Sequence, residues 1–388
     1  MIFCYKEVSV CDLVRAGNFF AVARKQTTMK RPEDTQFNQQ KLRGWQPTLT
    51  LNGLIAVFFI VGLLFVPLGV YLTVQSDNVK EFSVKYDSSD GLMDVPCSIS
   101  EANVNGDCTI KFNFTEDVTG PFYVYYEISN FYQNHRRYVK SRSANQLMGS
   151  LLSYDEVYDD CFPLVENATN LLNPCGLIAN SFFNDVITLT SSTTGSQQLD
   201  EDGIAWSADL DVKFKQVDGF VSIDVNNVGV SCADALGDGY SDCRSYTDPS
   251  DGQVYKYWYP DDSTVQYLYE SYPDIVSPIE GVQNEHFVVW MRTAGLPYFR
   301  KLYGKIDADV TAGDSMTFNV ATNFEVASFG GSKSLVLTTL AEFGGKNVAL
   351  GRSYIVIGSI SLFIGVLFFL KRTINPRPLG DIKSLDWR

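Results

Sequence analysis

Histidine is nearly absent from this chain: His135 and His286 are the two in 388 residues. The scarcity narrows imidazole-based catalysis and His-ligated metal sites, and the motifs agree. There is no H-E-x-x-H, no G-x-S-x-G and no EF-hand loop. Neither histidine has a recognisable serine or cysteine partner. The string "FGGSKS" (Phe329 to Ser334) carries Ser332 where a phosphate loop needs glycine before Lys333, so it reads as a turn before the strand "SLVLTT". Charge is missing altogether from two long runs, Leu54 to Val74 and Ser353 to Leu370. At about 1.5 Å of rise per residue the first crosses a hydrocarbon core of roughly 30 Å. Neither run has a polar face, which excludes an ordinary amphipathic core helix.

What is present is acidic charge in one place. The flanks before Leu54 and after Leu370 carry +4 and +3, which leaves −21 of the net −14 for residues 75–352. The positive-inside rule then puts both termini in the cytosol. This divides the chain into a cytosolic tail (1–53), a first span (54–74), a lumenal or extracellular domain (75–352), a second span (353–370) and a cytosolic tail (371–388). Residues 1–30 do not read as a signal peptide, because Lys6, Glu7 and Asp12 interrupt any apolar core. Residues 30–50 read as an extended lead-in.

Six of the eight cysteines fall in the large domain as close pairs: Cys97 and Cys108, Cys161 and Cys175, Cys232 and Cys243. Proximity favours three sequential disulfides, although sequence alone leaves the connectivity open. Zinc is the weaker reading without a C-x-x-C or a nearby histidine. Cys4 and Cys11 read as free cytosolic thiols. Sequons at Asn113 and Asn167 lie on the lumenal side, where N-glycosylation is expected.

Within the domain, alternation of apolar and polar residues predicts strands in "FYVYYEIS" (122–129), "DVKFKQV" (211–217), "FVSIDV" (220–225), "HFVVWMRT" (286–293) and "MTFNVATNFEV" (316–326). The fold class expected is an integral membrane protein: two transmembrane helices plus a mostly antiparallel β-sandwich ectodomain with a few short helices and disulfides. The acidic pairs Asp209/Asp211, Asp238/Asp242 and Asp261-Asp262 read as solvated surface. Each span has two glycines seven apart, Gly62 with Gly69 and Gly358 with Gly365, which would let another helix approach closely.

One stretch runs against the acidic background, "NFYQNHRRYVKSR" (Asn130 to Arg142). Asn130 and Gln133 suggest a helix cap, with Phe131, His135 and Tyr138 at helical spacing. Arg136 and Arg137 could pair with carboxylates of the same domain or of a partner. Topology sets nucleic acid aside, since the stretch lies outside the cytosol.

Together with "RPEDTQFNQQKLRGWQPTLT" (31–50), "PCGLIANSFFND" (174–185), "GIAWSADLDVKF" (203–214), "VVWMRTAGLPYFRKLYGKI" (288–306) and "SLVLTTLAEFGGKNVALG" (334–351), that stretch resembles the ligand-effect-modulator family. Its members are accessory (β) subunits of type IV P-type ATPases, the phospholipid flippases. The resemblance covers about Arg31 to Trp387. It implies a non-catalytic protein without cofactor that forms a heterodimer with the ATPase in a lipid membrane. Its folding, exit from the endoplasmic reticulum and transport cycle would be supported there, with the endoplasmic reticulum, Golgi, endosome or plasma membrane as its location. His135, Arg136, Arg137, Arg142, Arg292 and Trp45 are the candidate partner contacts. The alternative is a two-span, cysteine-rich ligand-gated channel subunit; the nearly bare spans argue against it.

Overall fold

A computed structural model describes residues 34–44, 50–99, 106–192, 198–225, 229–237, 239–240, 242–249, 252–261 and 263–376. In the lead-in, the Gln39 N–H donates to the Thr35 carbonyl at 2.9 Å in a short turn. Trp45, Cys4 and Cys11 lie outside the described residues.

Two long apolar helices bracket the fold, α1 (Leu51–Asn78) and α9 (Val348–Ile374). Each extends past the uncharged run that identified it. Both are long and apolar enough to cross a membrane. The residues buried on α1 are Ile55, Gly62, Gly69 and Ser76, and on α9 Gly351, Gly358, Ser361 and Gly365. That is a seam with a seven-residue repeat, the spacing that keeps one face of a helix against a neighbour. A Cβ on Gly62 would stand 2.9 Å from the Gly358 carbonyl oxygen, and one on Gly69 2.8 Å from that of Gly351. Close backbone approach therefore requires glycine here. The helix that these glycines admit is the chain's own second span. Phe58 against Phe368 and Phe65 against Tyr354 flank the seam, with ring centroids 5.9 and 5.1 Å apart.

Between the spans, thirteen strands form four small sheets among the described residues. The first has the order β1 (Glu81–Ser88), β13 (Ser332–Thr338), β3 (Phe122–Ser129), β11 (Phe299–Ile306), all neighbours antiparallel. The second is β2 (Gly106–Asn113), β12 (Ser315–Thr322), β6 (Val186–Ser192), also antiparallel. A third joins β7 (Val221–Val225), β9 (Val254–Trp258) and β8 (Arg244–Thr247). The fourth contains the parallel pair β10 (Val265–Tyr267) and β5 (Asn170–Asn173), with the two-residue β4 (Glu166–Asn167) antiparallel to β5. Strand β12 turns Met316, Phe318, Val320 and Thr322 inward along its length. Those apolar side chains share one core with Ile110 and Phe112 of β2, Phe122, Val124, Tyr126 and Ile128 of β3, and Leu335 and Leu337 of β13. The first two sheets thus bury their apolar faces in common, as period-two patterning demands.

Short helices fill the connections: α2 (Arg136–Lys140), α3 (Ala144–Leu147), α4 (Tyr154–Cys161), α5 (Ser207–Val212), α6 (Cys232–Leu236), α7 (Leu268–Ser271) and α8 (Glu285–Met291). Two of the expected strands are not strands. "HFVVWMRT" forms α8, because the Asn284 side chain caps the Phe287 N–H at 3.1 Å and Phe287, Val288, Trp290 and Met291 fall on one buried face. "DVKFKQV" begins as the last turn of α5 and continues as coil, its Phe214 and Val217 still buried. In α8 the cap and the helical spacing of apolar residues override the β-propensity of Val and Phe, while 213–217 buries Phe214 and Val217 without regular pairing.

Three disulfides staple the connections: Cys97–Cys108, Cys161–Cys175 and Cys232–Cys243, with Cα separations of 5.7, 5.6 and 5.6 Å. The second closes a satellite core of Val157, Val165 and Leu172.

Candidate interaction surface

The Asn130–Arg142 stretch leaves the end of β3 and is sorted residue by residue into inward and outward faces. Asn130 adopts a left-handed conformation (φ 61) and its amide donates to the Phe329 carbonyl at 2.6 Å. Phe131 turns into the core, 5.8 Å from Trp290 and 5.3 Å from Phe329 between ring centroids. Gln133 is fully buried and accepts from the Ala294 N–H at 2.8 Å. Tyr138 is buried, its hydroxyl 2.8 Å from that of Ser181. The expected Asn130/Gln133 cap is therefore absent: Asn130 makes a turn, Gln133 holds the neighbouring loop, and the helix begins only at Arg136.

The outward set is Tyr132, His135, Arg136, Arg137, Lys140 and Arg142, all exposed. Among the described residues none of these cations has an ion-pair partner. Arg137 instead lies 5.9 Å from the exposed Phe162 ring. The internal pairing considered for Arg136 and Arg137 is not made among the described residues.

Arg292 is different. It meets Asp209 at 2.5 Å and lies 3.8 Å above the Trp206 ring, while Lys213 reaches the other Asp209 oxygen at 2.8 Å. Asp209 is buried, which corrects its reading as solvated surface. The hydrogen bond from Lys213 and the Arg292 charge hold its carboxyl below the usual range against the opposing effect of burial.

The structure also contains charged groups that sequence patterning passed over. Lys333, considered above only as a failed phosphate-loop lysine, is fully buried. Its ammonium meets Asp185 at 2.7 Å, donates to the Phe324 carbonyl at 2.5 Å and lies 3.4 Å from Asp87. The Tyr86 hydroxyl donates to Asp185 at 2.8 Å, and the N–H groups of Asn323 and Phe324 donate to its other oxygen at 2.7 and 2.6 Å. Burial, then the Asp185 charge, raises the Tyr86 phenol well above its ordinary range; burial likewise raises the Asp87 carboxyl. The cluster ties β1, β13 and the segments before β6 and after β12. Lys301 is buried, has no carboxylate partner among the described residues, and donates to the carbonyls of Val289, Trp290 and Arg292 at the end of α8. Burial, then the Arg292 charge, pushes its ammonium down to about 7.

Asn113 ends β2 and Asn167 sits in β4; both are exposed, as are Thr115 and Thr169 of their sequons. The Asn167 amide donates to Gln266 at 3.0 Å. His286 pairs with Glu201 at 2.7 Å beside a groove lined by Asp202, Asp248, Glu280 and Glu285. No group of three metal-ligating side chains occurs among the described residues.

Comparison with known proteins gives this arrangement its context. The LEM3 (ligand-effect modulator 3) family / CDC50 family matches residues 72–378. Cell cycle control protein 50A of Mus musculus is 36% identical over 354 residues, 88% of this chain and 89% of that protein. ALA-interacting subunit 3 of Arabidopsis thaliana is 34% identical over 372 residues, 95% and 93% of the two chains. Phospholipid-transporting ATPase accessory subunit CRF1 of Saccharomyces cerevisiae is 30% identical over 399 residues, 94% and 92%. Since the match takes in the last two turns of α1, the ectodomain and all of α9, this integral membrane protein belongs to the LEM3/CDC50 family.

Proposed function

We propose that this protein is the non-catalytic accessory subunit of a phospholipid-transporting P-type ATPase of type IV. The observation that carries the reading is similarity over nearly the full length to a yeast protein named as such a subunit, in a chain with two helices long and apolar enough to cross a membrane. The catalytic aspartate and the energy of transport belong to the partner. This chain supports the folding of the ATPase, its exit from the endoplasmic reticulum and its cycle. Both termini face the cytosol, supported by the positive flanks around a strongly acidic, disulfide-stapled domain that carries two exposed sequons.

The outward cations of α2 and its borders fit a contact with ATPase loops. His135, Arg136, Arg137 and Arg142 point to solvent in a domain with abundant carboxylates, and guanidinium groups give directed, two-pronged contacts to carboxylates. Arg292 is engaged with Asp209 and Trp206, which makes it a weaker candidate for this contact than the outward cations. Copurification of the full chain from membranes in mild detergent tests the function. A P-type ATPase in near-equal amount is expected; a chain that leaves the endoplasmic reticulum alone and recovers no ATPase overturns the proposal.

A further inference from the structure

Between β13 and α9 the chain makes a tight hairpin, closed by the reciprocal backbone hydrogen bonds of Ala341 and Gly344 at 3.0 and 2.9 Å. Gly344 sits at φ 96, a conformation that favours glycine. The hairpin turns apolar side chains outward: Leu340 is 39% and Phe343 62% exposed. The Phe343 ring meets Tyr71 edge on, with centroids 6.0 Å apart. Tyr71 belongs to α1 and lies inside the uncharged run that ends at Val74.

The depth follows from the helix seam. Gly351 lies against Gly69 and Thr73, so Tyr71 is level with the second turn of α9. Val348, where α9 begins, stands about 4.5 Å nearer the ectodomain at 1.5 Å of rise per residue. After β13 the chain therefore descends past the start of its next helix, turns, and climbs back to Asn347, whose N–H donates to Ser76 at 2.9 Å. Arg352 is exposed at the same depth and has no ion pair among the described residues. A tyrosine at the end of an apolar run, an outward phenylalanine beside it and a free arginine at that level are the composition of a membrane–water boundary.

We propose that the 339–345 hairpin is a membrane-interface anchor, which inserts Leu340 and Phe343 among the lipid headgroups on the ectodomain side while Arg352 faces lipid phosphate. The exposed Glu342 carboxylate at the tip keeps the hairpin at headgroup level and out of the hydrocarbon. The geometry gives the anchor a purpose. Both covalent links between spans and ectodomain pass through one strand pair, since α1 leads into β1, β13 leads into the hairpin, and Glu81 pairs with Thr338. Two links side by side leave the ectodomain free to tilt about them; a third point of attachment at Phe343 fixes its height and angle. The inference rests on the two spans alone and stands whatever the partner.

The test uses the full chain in phosphatidylcholine–phosphatidylserine nanodiscs, with Cys4→Ser and Cys11→Ser and a nitroxide label at Phe343→Cys. Labels at Leu92→Cys and Ile60→Cys, both exposed in the isolated chain, report water and mid-span lipid. Collision rates with oxygen and with a water-soluble nickel complex are read by electron paramagnetic resonance. The expected result is a loss of nickel access and a gain of oxygen access at 343 relative to 92, with values between those of 92 and 60. A label at 343 as open to nickel as the one at 92 overturns the proposal. So does a label that loses both reagents when the ATPase is bound, which would make the hairpin a protein interface. Leu340→Cys repeats the measurement if Phe343→Cys does not fold.

Discussion

Lys333 and Arg136 are both cations in an ectodomain of large negative charge, and their surroundings have almost nothing in common. Lys333 has no exposed surface and is held by Asp185, Asp87 and a carbonyl. Arg136 and its neighbours on α2 are exposed and reach no carboxylate among the described residues. Where acidic groups are abundant, a cation left unmatched reflects the backbone that directs it outward. Here Phe131, Gln133 and Tyr138 are the inward residues that do so. The contrast separates cations that hold this domain together from cations available to another molecule.

Four experiments break or sharpen that contrast. The largest effect belongs to Lys333→Ala, which leaves the Asp185 and Asp87 carboxylates buried and uncompensated; a loss of about 3–5 kcal/mol is expected, read as a large drop in thermal midpoint of the detergent-solubilised chain. A drop no larger than that of a surface variant would place Lys333 with the dispensable charges. Asp209→Ala comes next, at about 1.5–3 kcal/mol, because hydrogen bonds from two cations to a buried carboxylate are lost. Denaturant unfolding measures it, and an unchanged midpoint would return Arg292 to the available set.

Lys301 supplies a pH test. Its folded value, about 7, lies below the ordinary 10.5, so between those values the unfolded chain binds more protons and stability rises with pH. The slope is at most about 1.4 kcal/mol per pH unit and vanishes below pH 7, where both states are charged. Unfolding midpoints from pH 7 to 9 should rise for the natural chain relative to Lys301→Met. Parallel curves would mean that the carbonyls at the end of α8 keep the ammonium charged. The smallest stability effect, within about 0.5 kcal/mol, is expected for Arg136→Glu with Arg137→Glu, as for other exposed positions. The same variant should lose copurification of the ATPase. Full recovery of the complex would remove α2 from the contact surface.

Much of the architecture was legible because its signals are local. Uncharged runs marked both spans, and "FYVYYEIS" coincides with β3 from Phe122 to Ser129. The glycine spacing anticipated a close helix contact, though not that α1 and α9 supply each other's partner. Misreadings occurred where local cues conflicted: "HFVVWMRT" alternates loosely enough to suggest a strand, yet Asn284 caps it as a helix. The surface was legible only in part. Clustered cations drew attention to residues 130–142, but nothing local distinguished Arg292, which is paired, from Arg136, which is not.

The sequence by itself determined two membrane spans, a predominantly β domain between them, and cysteine pairs close enough to bridge, because hydropathy, periodicity and short separations act over a few residues. Tertiary structure alone decided which charges are matched. Lys333 and Asp185 are 148 positions apart and Arg292 and Asp209 are 83 apart. It also decided that Phe343, far along the chain from Tyr71, returns to the depth of the first span. Such pairings depend on the packing of sheets and helices from distant segments, and no pattern within a short window encodes them.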